Sequence, residues 1–199
     1  DNTICCILPI IHEMTVEYNP CNGVVNIYFY KYPPDDTQSF TYNLILDYYN
    51  PNTNTNTQVA NTSVVSQQKR ISISVSLLDN NIQNFGNVNI ITSVVDNDQQ
   101  TVFQCTTNKN VFFIVSAVYS KPTLTITINN LAYISIIDRI SIVNNSDIVI
   151  DAYDGTQVNY NGNNIIINDP VVYSNCYVII DLQTTNNEEY SCKIPIVYQ

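Results

Sequence analysis

The stretch Ile71-Ser-Ile-Ser-Val-Ser-Leu77 sets Ile71, Ile73, Val75 and Leu77 against Ser72, Ser74 and Ser76. Side chains of an extended chain point alternately to opposite faces, so a period of two marks a strand with one face in a core. The same alternation appears upstream, where Met14, Val16 and Tyr18 oppose Glu13, Thr15 and Glu17, and downstream through Leu124, Ile126 and Ile128. Turn residues separate such runs: Asn19-Pro-Cys-Asn-Gly23, Pro33-Pro-Asp-Asp36 and Asp96-Asn-Asp-Gln-Gln100. Asn161-Gly162 is the strongest hairpin signal, expected as the two central residues of a type I′ turn, and Asp154-Gly155 is a second candidate. At Ile136-Ile137 the apolar phase slips, which predicts a β-bulge or a bend between sheets. Roughly fourteen short strands follow from this pattern, and they predict an all-β antiparallel sandwich, Ig-like or jelly-roll. The repetitive segment Asn50 to Thr57 has nothing to bury and is expected in a solvent loop.

Composition agrees. Of 199 residues, 45% are hydrophobic, with no Trp and one Met, and the apolar share rests on Ile, Val and Tyr. Such residues favour strands. Only 12% are charged, and the thirty asparagines fill surface positions that Lys and Glu usually take. The net charge of −10, seventeen acids against seven bases, repels phosphate backbones and anionic headgroups, so neither nucleic acid nor a membrane is an expected partner. No apolar run approaches the roughly 18 residues of a membrane span.

The six cysteines, Cys5, Cys6, Cys21, Cys105, Cys176 and Cys192, include no Cys-x-x-Cys pair and predict disulfides formed in an oxidising compartment. Cys176 with Cys192 is the favoured pairing, in consecutive expected strands, and Cys21 with Cys105 the second. Adjacent Cys5 and Cys6 point to opposite faces and need different partners. Zinc is the weaker reading, for want of ligand spacing and histidine. His12 is the sole histidine, expected at a surface or interface, and no nucleophile elbow, phosphate loop or dinucleotide fingerprint occurs. The chain is therefore read as no enzyme, with no cofactor and no metal. Asp96-Asn-Asp98 offers oxygen ligands for calcium but lacks the glycine and distal acid of an EF-hand loop. Asn61-Thr-Ser63 and Asn144-Asn-Ser146 match the N-glycosylation sequon and make N-linked glycans expected partners, both in loops. Lys31 and Lys193 are the strand-borne candidates for an isopeptide crosslink to an Asn or acid.

The run Ile4-Cys-Cys-Ile-Leu-Pro-Ile-Ile11 is apolar on both faces. That is the pattern of a strand buried on both sides, which must be covered by its own domain or by another copy. The domains drawn from it are a leading strand and linker over 1–18 and a sandwich body over 19–199. An abrupt start at Asp1 fits a mature secreted chain. With the all-β body, the cysteines and the weakly charged Asn, Thr and Tyr-rich surface, this layout resembles the subunits of archaeal extracellular threads and related donor-strand pili. The resemblance implies an extracellular filament, polymerised head to tail, for adhesion or biofilm formation. It also implies that Ile4, Cys6, Leu8 and Ile10 plug a groove of the next copy, with Ile7 and Ile11 on the opposite face. Pro9 departs from the pattern, since it cannot donate to a ladder. The alternative is a secreted monomeric recognition module, an adhesin tip or viral decoy, whose first strand pairs within its own sandwich.

Overall fold

A computed structural model describes residues 9–33 and 37–199. They form fifteen strands and two short 3-10 turns, Leu78–Asn80 and Leu131–Tyr133. The chain divides into two compact units rather than one body over 19–199. The first comprises Asp1–Tyr18, Val25–Asn80 and Asn87–Asn110; the second comprises Asn19–Val24, Asn81–Gly86 and Val111–Gln199.

The first unit holds strands β1 (Ile11–Asn19), β2 (Val24–Tyr32), β3 (Phe40–Asn50), β4 (Thr55–Ser66), β5 (Arg70–Ser76), β6 (Gly86–Val95) and β7 (Thr101–Val111). They build a three-stranded sheet, β1-β2-β5, and a four-stranded sheet, β4-β3-β6-β7. The alternations read from sequence choose the inward faces. Val25, Ile27 and Phe29 of β2 and Ile71, Ile73 and Val75 of β5 are buried from one sheet; Tyr42, Leu44 and Leu46 of β3 and Val88, Ile90 and Val94 of β6 are buried from the other. Rings of Phe29 and Tyr42 meet across the layers at 5.2 Å. β1, assigned from sequence to a leading strand and linker, is a member of this sandwich, with Tyr18 inward and Glu13 and Glu17 outward.

The second unit holds β8 (Ile114–Ser120), β9 (Thr123–Ile128), β10 (Ile134–Val143), β11 (Val149–Tyr153), β12 (Asn159–Asn161), β13 (Asn164–Asn168), β14 (Tyr177–Thr184) and β15 (Glu189–Tyr198). Their order is β11-β10-β14-β15-β8-β9-β13-β12. β15 pairs antiparallel with β14 through Pro195, then parallel with β8 from Ile196 to Tyr198. It thereby joins β11-β10-β14 to β9-β13-β12. Ile140, Ile142, Val178, Ile180 and Leu182 from one half share a core with Leu124, Ile126, Ile165 and Ile167 from the other. The two units differ by a strand on the side that holds their first two, which reads β1-β2-β5 in the first unit and β8-β9-β13-β12 in the second.

Three local expectations are refined. The register of β10 against β14 shifts at Ile134/Ile136 and at Ile137/Arg139, so the phase slip is a bulge. In the hairpin β12–β13, Asn161 pairs with Asn164, leaving Gly162 and Asn163 at the centre. Gly162 alone of these two has positive φ, 59°, which fits type II′ rather than I′. Asn50 to Thr57 is not a loop throughout: Asn50 ends β3, a turn follows, and β4 begins at Thr55. Threonines and asparagines that bury nothing still form a strand when β3 supplies a ladder from Phe40↔Ser66 to Asn50↔Thr55.

Candidate assembly surface

β4 is an edge strand with β3 as its neighbour. Its twelve residues, Thr-Asn-Thr-Gln-Val-Ala-Asn-Thr-Ser-Val-Val-Ser, are almost all exposed, Val65 at 69%. Beside its end lies an open groove of ≈ 540 Å³ lined by Tyr28, Val64, Val65, Gln68, Arg70 and Ile71. The outer face of the neighbouring sheet carries a polar row. Glu17 bonds the Tyr28 hydroxyl, and Arg70 lies over the Tyr28 ring at 4.6 Å. Burial, followed by the Glu17 carboxylate, pushes the Tyr28 phenol up. On the outer face beside β4, Ser63 donates to Asn43 at 2.6 Å and Asn43 donates to Ser93 at 3.1 Å, tying three strands.

Of the sequence-derived interface residues, Ile4, Cys6, Ile7 and Leu8 lie outside the described residues, as does Cys5. Pro9 is exposed and Ile10 half-buried, and Ile11 opens β1 with 57% of its surface in solvent. His12, next in line, is a core residue and not a surface one. It is in phase with Met14, Val16 and Tyr18, a signal available in the sequence, and its ring stands edge-on to Phe40 at 4.6 Å.

The described disulfide joins Cys21 to Cys192, with Cα atoms 5.7 Å apart. Both expected pairings are therefore corrected. Cys176 is buried and Cys105 half-buried, and each carries a free thiol. Cys176 lies just before β14, where its carbonyl accepts from the Ile196 amide at 3.0 Å, while Cys192 lies opposite Ile180, so the register holds the two cysteines apart. Cys21 sits in the turn after β1, whose Gly23 amide closes on the Asn19 carbonyl at 2.9 Å, and nothing local in the sequence points from there to β15.

The sequon Asn61 is exposed in the middle of β4, not in a loop. Asn144 is half-buried in the turn after β10, where its Oδ1 accepts from the amides of Ser146 and Ile148 at 2.9 and 3.0 Å. The Asp96 carboxylate likewise serves its own turn, accepting from the amides of Asp98 and Gln100 at 2.9 and 2.8 Å. Among the described residues no group of three or more His, Cys, Asp or Glu could hold a metal ion. The Lys31 side chain is 99% buried by its 1% exposure; its Nζ donates to the Gln38 carbonyl at 3.0 Å and lies 5.6 Å from the Phe40 ring centre. Lys193 pairs with Asp147 at 2.6 Å in solvent and lies over Tyr177, the setting of a surface ion pair.

No protein-family description matches the sequence, and no curated protein is detectably similar. Solved structures with a similar course include E. coli alpha-2-macroglobulin in its native conformation, at 9% identity and a TM-score of 0.39 over 96% of this chain. Red sea bream transglutaminase gives 8% and 0.33 over 94%, and a tetra-tandem repeat in the extending region of a large adhesion protein gives 9% and 0.33 over 94%. This chain spans 16%, 31% and 50% of those chains, respectively. At these values the likenesses carry no functional information.

Proposed function

We propose that this chain is a structural subunit of an extracellular filament, joined head to tail when the leading strand of one copy adds to a sandwich of the next, and serving adhesion or biofilm formation. The observation that supports it is the exposure of Pro9 and Ile11 where the apolar run Ile4 to Ile11 meets β1. Apolar residues on both faces of a strand need two covering layers. At the described end of this run Pro9 and Ile11 are exposed and Ile10 is half-buried. Strand addition would give continuity through main-chain hydrogen bonds and selectivity through alternate side chains. Head-to-tail contacts do not close on themselves, so they extend. A disulfide fits an oxidising exterior, and no described helix is long and apolar enough to cross a membrane.

The second reading, a secreted monomeric recognition module, is favoured by the seven strands that complete the first sandwich from Ile11 onward. Size-exclusion chromatography with negative-stain microscopy separates the two. The filament reading expects ladders of stable multimers and fibres; a sharp monomer peak and no fibres would replace it with the module.

A further inference from the structure

We propose that β4 is a self-association edge, on which a second copy pairs its own β4 antiparallel across a two-fold axis. Exposed edges are templates for strand pairing, and proteins block them with charge, brevity or bulges. Each of the other sheet edges in the described residues carries a charge or is short. β1 carries Glu13 and Glu17, β5 Arg70, β7 Lys109 and β11 Asp151, while β12 has three residues. β4 has twelve residues with no charged side chain, no Pro and no Gly, and although its pairing with β3 skips Val59 in a bulge, the run 60–66 stays in unbroken register. On a chain of net charge −10 this is a long edge at which two copies meet without opposing charges.

The occupant follows from what the edge requires. The unpaired backbone groups of the unbroken run 60–66 need another extended strand, about 23 Å long at roughly 3.3 Å per residue. The side chains of β4 are mostly Thr, Asn, Gln and Ser, which pair best with their own kind across strands through hydroxyl and amide hydrogen bonds. A second β4 has that length and that chemistry, and is already extended by its ladder with β3, so pairing orders little new backbone. An apolar segment such as Ile4 to Ile11 would meet mostly polar neighbours there, eight of the twelve residues being Thr, Asn, Gln or Ser against Val59, Ala60, Val64 and Val65. The product is a continuous sheet running β7-β6-β3-β4 and back through the second copy. Such pairing is isologous and closes as a dimer, so it adds a lateral contact and does not rest on the head-to-tail reading.

The test uses full-length chain made without N-glycosylation, since a sugar on Asn61 would stand on the same edge. Sedimentation measures mass, and hydrogen exchange of peptides covering 55–66 reads the edge locally. Thr62 is exposed on β4, so Thr62→Lys and Thr62→Glu leave the sandwich intact, which strand circular dichroism checks. Expected results are protection of 55–66 that rises with wild-type concentration, at least a tenfold weaker self-association for either variant alone, and recovery when the two are mixed. Three results would each overturn the proposal: no concentration-dependent protection in the wild type, dimers of Thr62→Lys as tight as the wild type, or no recovery on mixing folded variants. A chain lacking residues 1–8 is the fourth sample. Loss of protection there would make the leading segment the occupant instead, whereas loss of ladders alone, with 55–66 still protected, speaks only to the filament.

Discussion

At Cys21 and Cys192 a single bond closes a separation of 171 residues. Crosslinking so distant a pair restricts the unfolded chain, and removing a native bridge of this kind typically costs about 2–5 kcal/mol. Peptide mapping of non-reduced protein should link the segment around Cys21 to that around Cys192, and Cys192→Ser should lower the urea midpoint, whereas Cys105→Ser, with no bridge to lose, should shift it little. A Cys176–Cys192 peptide would contradict the geometry. A second residue-scale test concerns Asp151 and Tyr153. Burial alone would raise the Asp151 carboxyl, but donors from the Tyr153 hydroxyl at 2.5 Å and the amides of Val171 and Ala152 at 2.9 and 3.0 Å outweigh it and hold it below 3.8. Burial first, then the Asp151 partner, push Tyr153 well above 10.0. The depressed acid contributes stability above pH 3.8 that is lost as pH falls through its folded value; the raised phenol contributes below pH 10.0 and is lost as pH climbs through its own. Tyr153→Phe should therefore cost about 1 kcal/mol near neutrality, and less at pH 2–3. A constant difference between urea curves across that range would show that the pair is not the cause.

At the scale of the element, periodicity was legible where one face meets a core. β5 buries Ile71, Ile73 and Val75, and β1 keeps Glu13 and Glu17 outside, as the alternation requires. It was not legible where strand formation depends on a neighbour: β4 has no apolar phase and is held by pairing with β3. Turn chemistry was partly legible. Gly162 provides the positive φ of its hairpin, but Gly155 is needed for room, because a Cβ there would lie 2.7 Å from the Ile137 carbonyl oxygen. The disulfide was illegible because proximity of Cys21 to Cys192 is a product of the whole second sandwich. A paired measurement separates centre from edge within the four-stranded sheet. Leu44 of β3 is fully buried and Val65 of β4 largely exposed. Leu44→Ala should cost about 2–5 kcal/mol through lost burial and a cavity, while Val65→Thr should stay within about 0.5 kcal/mol. Equal losses in urea denaturation would mean that β4 is covered in solution.

For the whole molecule, the proposed association has to bring together copies of net charge −10. Long-range repulsion disfavours broad face-to-face contact and falls with added salt. Attachment through the proposed strand addition would avoid much of it, because the ladder would be made of neutral backbone groups and Ile4 to Ile11 brings no charge of its own. Deleting residues 1–8 leaves β1, which begins at Ile11, in place, so both sandwiches should retain their strands and their urea midpoints. The deletion should nevertheless abolish multimer ladders and fibres, leaving monomer and the lateral β4 pair. Salt should strengthen association of the full-length chain, since screening removes repulsion without weakening hydrogen bonds between neutral groups. Fibres that persist after the deletion would place the head-to-tail contact elsewhere; association that weakens steadily with salt would mean that attraction between charged patches, and not strand pairing, holds the copies together.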